Sequence, residues 1–212
     1  MKCTDNATIY DDIEKCRGAK SYPGIKPYVY AISKQDIVSW PAKPSAPKTL
    51  GEAAVLTGSF ALAADKKFAK IGLVTDQSEL KTESQGTEGS KTWKVSTTLV
   101  IPGTEEEATG FIAEANNDQL IYLVPQRNGK FRVVGCEEFD ATATLSQDSG
   151  KAVTDTNATT IAVEATDTLP APFYTGDIVT TDGTIDASTG KAKAEAALHH
   201  LLAHQQASRV NI

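Results

Sequence analysis

The stretch QLIYLVPQRNGKFRVVG, residues 119–135, decides the fold prediction. Two apolar runs rich in Val, Ile, Tyr and Phe flank the polar residues 127–130, and such runs favour β-strands. Asn128-Gly129 between them is a dipeptide that favours the positive φ angles of a type I′ turn. We therefore predict a β-hairpin at this position.

The segment upstream, KTWKVSTTLVI at residues 91–101, predicts another strand. Its side chains alternate, so that Trp93, Val95, Thr97 and Leu99 share one face. Pro102 and Gly103 follow and are expected to end the strand.

A helix is predicted between these strands, in the sequence TEEEATGFIAEANN that begins at Thr104. Thr104 is a suitable N-cap, and the glutamates 105–107 suit the positive end of the helix dipole. Phe111 begins an apolar stripe, and Asn116 or Asn117 is expected to end the helix.

Further strands are predicted on both sides of this region. Residues 25–38 alternate and present Tyr28 and Tyr30 on one face. Residues 53–75 suit either a strand or a helix, but Gly58 disfavours the helix and favours two strands with a turn at residues 64–66. Residues 139–165 indicate one more strand pair, so that about eight to ten short strands suggest a β-sandwich or barrel.

The ends of the chain differ from this predicted domain, which spans residues 25–180. Residues 1–24 are polar and are predicted to form an N-terminal arm. Residues 181–212 are predicted to form a C-terminal extension with a helix from Lys191 to Gln206, because only good helix formers and histidine occur there. Ser188 or Thr189 would cap that helix.

Two polar segments interrupt the domain. Proline at every third position makes residues 41–48 a stiff linker. Residues 76–90, DQSELKTESQGTEGS, contain almost nothing apolar and are predicted to form a long exposed loop or a hairpin tip.

Composition narrows the class of protein. The chain has 212 residues and a formal net charge of −6, and residues 51–190 carry 10 basic and 21 acidic side chains. Such a balance disfavours a protein that grips nucleic acid, since phosphate binding needs clustered cations. No apolar run approaches the ~20 residues of a membrane helix, and no signal peptide is recognisable, so we expect a soluble, unexported protein with reduced thiols. Whether Cys3, Cys16 or Cys136 pair is left open.

The search for catalytic chemistry gives no assignment. His200 and His204 would share one helix face and could chelate a metal, but Leu201 replaces the glutamate of a zinc protease and no third ligand is identifiable. The two carboxylate clusters have structural explanations that need no catalysis. Residues 105–107 suit the N-terminus of the predicted helix, and residues 137–138 follow the end of the predicted hairpin. We predict no catalytic residue, no cofactor and no metal, and therefore no enzyme.

The order of these features resembles the tail tube (major tail) proteins of tailed phages and prophages, especially those of Bacteroidetes hosts. The matching features run from Trp93 and Pro102-Gly103, through the helix with EEEATGFI and the hairpin LIYLVPQRNGKFRVVG, to APFYTG near residue 176. GIKPYVYAISKQDIV at residues 24–38 also looks like the first strand of that group. The resemblance covers residues 16–180, with gaps.

The resemblance implies a β-sandwich or barrel with a flanking helix. It also implies hexameric rings that stack into a hollow tube, in which exposed strand edges pair across subunits. The implied partners are other copies of the chain, the tail terminator, tape measure and baseplate proteins, and passing DNA that is not bound specifically. No membrane is involved, and the protein would be assembled in the bacterial cytoplasm and reside in the virion. An acidic lumen would let DNA slide.

The polar loop would then be an arm that becomes ordered on contact with the neighbouring ring, so the predicted subunit-interface residues are Ser84, Gln85, Gly86, Thr87, Glu88 and Gly89. Three alternatives remain open: a capsid decoration protein, a head–tail connector, and a β-sandwich module that binds a carbohydrate or receptor.

Overall fold

The computed structural model describes residues 10–14 and 16–193. This part of the chain is mainly β, with several sheets and one α-helix, α1 (Glu106–Ala115), as the sequence predicts. The strands are β1 (Tyr28–Ser33), β2 (Ile37–Ser39), β3 (Val55–Leu56), β4 (Ala61–Leu62), β5 (Ala69–Gly72), β6 (Glu79–Gln85), β7 (Thr92–Pro102), β8 (Leu120–Pro125), β9 (Phe131–Val134), β10 (Thr142–Asp148), β11 (Ala158–Asp167), β12 (Phe173–Tyr174), β13 (Asp177–Thr180), β14 (Gly183–Asp186) and β15 (Lys191–Ala192).

Two larger sheets form the sandwich. The six-stranded sheet has the order β3-β12-β9-β8-β1-β5, and the four-stranded sheet has the order β10-β11-β7-β6. Every pair in the four-stranded sheet is antiparallel, and each ladder runs without a register shift. The strands β13, β14 and β15 form a smaller sheet, and β2 pairs with β4.

The six-stranded sheet is covered on both faces. Val29 and Tyr122 on one face pack in a core cluster with Leu99 and Ile161 of the four-stranded sheet. The opposite face packs in a second cluster that includes Ile178 of β13. This double burial explains why β8 is an almost continuous apolar run, because both faces of the strand are removed from water.

The hairpin predicted at residues 119–135 is confirmed, but the predicted type I′ turn is wrong. β8 pairs with β9, and the Gly129 amide donates to the Gln126 carbonyl at 2.9 Å. Among the turn residues only Gly129 has a positive φ, +92°, whereas a type I′ turn needs two. The Asn128 side chain accepts from the Lys130 amide at 3.0 Å, so it serves as a turn acceptor rather than as a left-handed residue.

The helix prediction is confirmed in place and is wrong at its cap. Glu105, not Thr104, occupies the N-cap, and no side chain caps the first turn. Asn116 is the C-cap, as predicted. Phe111 packs against the first core cluster, so α1 covers part of the core between the two sheets.

The predicted long loop at residues 76–90 contains a seven-residue strand. β6 occupies residues 79–85 and pairs with β7 over its full length, which leaves residues 86–91 as the hairpin turn. Leu80 alone packs against the core, and backbone hydrogen bonds to the strongly alternating β7 hold the polar strand in place. The hairpin-tip alternative of the prediction therefore applies to residues 86–90.

The C-terminal helix predicted from Lys191 is wrong at its start. Lys191–Ala192 form β15, which pairs with β14, and Ser188 lies in the connecting turn. The Asp186 carboxylate accepts from the Ser188 amide at 2.8 Å and from its hydroxyl at 2.6 Å, which favours the turn over a helix cap. The rest of the predicted helix lies outside the described residues.

Candidate assembly surface

The four-stranded sheet leaves both of its edges open. β10 and β6 are its outermost strands, and within residues 10–14 and 16–193 neither pairs with a further strand. Each is seven residues long. β10, with the sequence TATLSQD, has no lysine, proline or bulge, and six of its seven residues are exposed. Natural sheets usually protect such an edge, so an unprotected one indicates that another strand covers it.

The face of this sheet that points away from the core is polar. Leu145, Ile161 and Leu99 pair across the strands on the inner face, so the neighbouring positions point outward. We call these positions the outer face: Glu79, Lys81, Glu83 and Gln85 of β6; Thr92, Lys94, Ser96 and Thr98 of β7; Thr142, Thr144, Ser146 and Asp148 of β10; and Thr160, Ala162, Glu164 and Thr166 of β11.

The charged residues of the outer face are largely paired with one another. The Lys94 ammonium lies 2.6 Å from the Glu164 carboxylate, and the Lys81 ammonium lies 2.6 Å from the Glu83 carboxylate. The hydrogen bond from Lys81 lowers the pKa of Glu83. With two lysines against four carboxylates, the outer face carries a small negative charge.

The predicted interface residues fall in two places. Ser84 and Gln85 belong to the β6 ladder, opposite Trp93 and Thr92. The Gln85 side chain donates to the Thr166 hydroxyl at 3.0 Å and to the Thr92 hydroxyl at 3.3 Å, so it joins three strands of the outer face. Gly86, Thr87, Glu88 and Gly89 form the exposed part of the turn.

A partly buried ionic cluster joins the proline-rich linker to the sandwich. The Lys43 ammonium donates to the carboxylates of Asp167 and Glu138 at 2.8 Å each, and to the Thr168 hydroxyl at 3.1 Å. The Asp167 side chain is only 3% exposed. We call this cluster the lysine latch; neither Lys43 nor Asp167 is singled out by the sequence, because their contact spans 124 positions.

The latch contains the donor set of a possible metal site. Ligand atoms of Cys136, Glu138 and Asp167 lie within 4.8 Å of one another. The Lys43 ammonium already bridges the two carboxylates and supplies the positive charge that they need. Burial raises the pKa of the Cys136 thiol to about 11, which disfavours the thiolate that binds metals. The residues therefore fit an ion pair better than a metal.

Among the candidates from the sequence, the latch brings Cys136 and Glu138 together. Glutamates 105–107 lie at the start of α1, exposed to solvent. Cys16 is exposed and unpaired, Cys136 is buried and unpaired, and Cys3 lies outside the described residues. His199, His200 and His204 also lie outside them. In the described part of the chain, no helix is long and apolar enough to span a membrane.

Comparison with known proteins gives no relative from which a function could be transferred. No family model matches the chain, no curated protein matches it, and no solved structure matches its fold.

Proposed function

We propose that this chain is a virion structural protein whose copies assemble into hexameric rings, and that the rings stack into a phage tail tube that conducts DNA. The observation that carries the proposal is the pair of open edges on the four-stranded sheet. Two open edges of equal length on one sheet suit a head-to-tail contact, in which β10 of one copy pairs with β6 of the next.

The chemistry of the two edge strands supports a head-to-tail contact rather than a symmetric one. β10 carries uncharged side chains up to Asp148, whereas β6 presents Glu79, Lys81 and Glu83. Pairing β6 with a second β6 about Lys81 would place Lys81 opposite Lys81 and Glu79 opposite Glu83, while the uncharged positions of β10 avoid such pairs. A head-to-tail contact that closes by rotation gives a ring and removes both open edges of the four-stranded sheet.

The outer face supports the proposal that the stacked rings conduct DNA. In a closed ring of such sheets, this face would line the channel with threonine, serine and paired charges. A wall of small polar groups with slight negative charge would hydrate DNA without neutralising its phosphates, so that DNA slides. The proposed partners are therefore other copies of the chain, the terminator, tape measure and baseplate proteins of the tail, and passing DNA.

The test is electron microscopy of the concentrated protein in negative stain, with light scattering alongside. Rings or hollow tubes are the expected result. Two variants of β10, Ala143→Pro and Thr144→Pro, test the edge. Because backbone amides of adjacent residues point to opposite sides of a strand, one variant removes a bond to β11 and the other changes only the open edge.

The edge-only variant is identified by its unchanged melting temperature, and it is expected to abolish rings. Rings that form normally in that variant would contradict the β10 contact. A wild-type chain that remains monomeric at every concentration would favour the decoration, connector or binding-module alternatives.

A further inference from the structure

The N-terminal residues 10–14 carry large apolar side chains that the other described residues leave exposed. Tyr10 and Ile13 are each 89% exposed. Asp11, Asp12 and Glu14 lie between and beside them, also exposed. We call this segment the acidic arm. A segment with two large exposed side chains and three carboxylates would bind best in an apolar groove that also carries a positive charge.

One groove of the molecule has that character. It has a volume of about 330 Å³ and lies where β3 and β12 form the end of the six-stranded sheet. Its walls include Ala54, Val55, Phe173, Tyr174 and Ala187, and the Lys130 ammonium lies 5.4 Å from the centre of the Phe173 ring. We call it the Phe173 groove.

Charge distinguishes this groove from the other cavities. Lys130 is the only charged side chain among the described residues that line the Phe173 groove. The cavity beside α1 contains Lys70 with Glu105 and Glu107, and the cavity beside the proline-rich linker contains Glu52. The cavity at the latch contains one lysine and three carboxylates. Of these four cavities among the described residues, the Phe173 groove attracts an acidic segment and the other three repel it.

We propose that the acidic arm of one copy docks in the Phe173 groove of a second copy, with Ile13 and Tyr10 in the groove and the carboxylates beside Lys130. The occupant is a second copy because the chain's own arm is present and leaves the groove open. This inference builds on the proposed assembly and names a second contact between copies, separate from the sheet edges.

Site-directed disulfide formation between full-length chains tests the contact. The background carries Cys3→Ser and Cys16→Ser, and the buried Cys136 is retained. Chains with Ile13→Cys are mixed with chains carrying Thr175→Cys, an exposed position that lines the groove. Under mild oxidation, a mixed dimer on a non-reducing gel is the expected result. Both introduced cysteines replace exposed residues, so the fold is expected to persist, as circular dichroism would verify.

Matched controls use the same arm cysteine. Ala108→Cys, in the cavity beside α1, is expected to give little mixed dimer. A single chain that carries both Ile13→Cys and Thr175→Cys reports docking in the chain's own groove, since it would form an internal disulfide at high dilution. Lys130→Glu is expected to lower the mixed-dimer yield roughly tenfold, the effect of a rim charge pair at low salt. Asp12→Lys on the arm chain is expected to restore it.

Equal yields at Thr175 and Ala108, or no response to charge reversal, would overturn the proposal. An internal disulfide without any mixed dimer would overturn the second copy as occupant. Failure of the arm contact is distinguishable from failure of the tube: rings without mixed dimers exclude only the arm contact, whereas mixed dimers without rings exclude only the tube.

Discussion

At the scale of single residues, Lys43 is the side chain with the most consequences. Its ammonium contacts two carboxylates and a hydroxyl that come from different parts of the chain, and Asp167 among them is almost fully buried. A buried carboxylate that loses its cation is costly, because the protein interior solvates charge poorly. The latch therefore fixes the linker over the ends of β9 and β11.

Replacing Lys43 with alanine is expected to lower the free energy of unfolding by about 2–4 kcal/mol, since it leaves Asp167 buried with a lone negative charge. Urea unfolding followed by tryptophan fluorescence measures this. The matched control is Lys66→Ala, which removes an exposed pair with Asp36 at 3.0 Å and is expected to cost about 0–1 kcal/mol. Equal losses in the two variants would contradict a special role for the latch.

The same contacts predict how the stability difference between wild type and Lys43→Ala depends on pH. The hydrogen bond from Lys43 lowers the pKa of Glu138 in the folded protein, so its stabilisation is present above the ordinary value of 4.5 and is lost as the pH falls through the folded value. Burial by itself would lower the pKa of Lys43, but the hydrogen bonds and charges of Asp167 and Glu138 raise it above 10.5. The gap between wild type and Lys43→Ala is therefore expected to be widest between these two values.

At the scale of elements, the β6–β7 hairpin differs from the flexible assembly arm that the sequence predicts. Two of the six predicted interface residues belong to the β6 strand, so only the hairpin tip could act as an arm. Removing residues 84–89 would delete Ser84 and Gln85 from the ladder and so damage the sheet. Gly86 cannot simply be substituted either, because its φ is +94° and an added Cβ would lie 2.8 Å from the Ser90 carbonyl.

Replacing residues 86–91 with Asn-Gly tests the tip alone. A two-residue turn closes the Gln85–Thr92 pair directly, so the ladder and the melting temperature are expected to persist while ring stacking stops. Electron microscopy would then show single rings in place of tubes. The control Glu88→Gln keeps the loop length and is expected to form tubes. Tubes of normal length from the shortened variant would exclude the tip as a stacking contact.

The same hairpin shows what the sequence can and cannot predict. β7 is predicted correctly because Val95, Thr97 and Leu99 are buried and alternate with half-buried polar positions. β6 is not predicted, because only Leu80 marks its inner face and its pairing with β7 is decided by backbone hydrogen bonds. The open edges of the sheet are likewise a property of strand order, and the latch joins residues far apart in the chain. Neither the open edges nor the latch produces a local pattern in the sequence from which it could be predicted.

At the scale of the whole molecule, core clusters cover both faces of one sheet and one face of the other. Core clusters cover both sides of the six-stranded sheet, so the polar outer face of the four-stranded sheet is the extended β-surface left for contact with solvent or DNA. In the proposed ring this face lines the channel, and its charge, not the total charge of −6, decides whether DNA slides.

Reversing the charge of the outer face tests this role. Glu83→Lys with Glu164→Lys leaves four lysines against Glu79 and Asp148 on that face, and the assembled protein is expected to retain short duplex DNA at low salt and release it as salt rises. The control Glu106→Lys with Glu114→Lys changes the net charge equally on α1, which packs against the core and not on the outer face, and is expected to retain no more DNA than wild type. Filter binding across a salt series measures both. Equal retention by the two variants would mean that net charge alone determines DNA binding. That result would contradict the proposal that the outer face lines the channel.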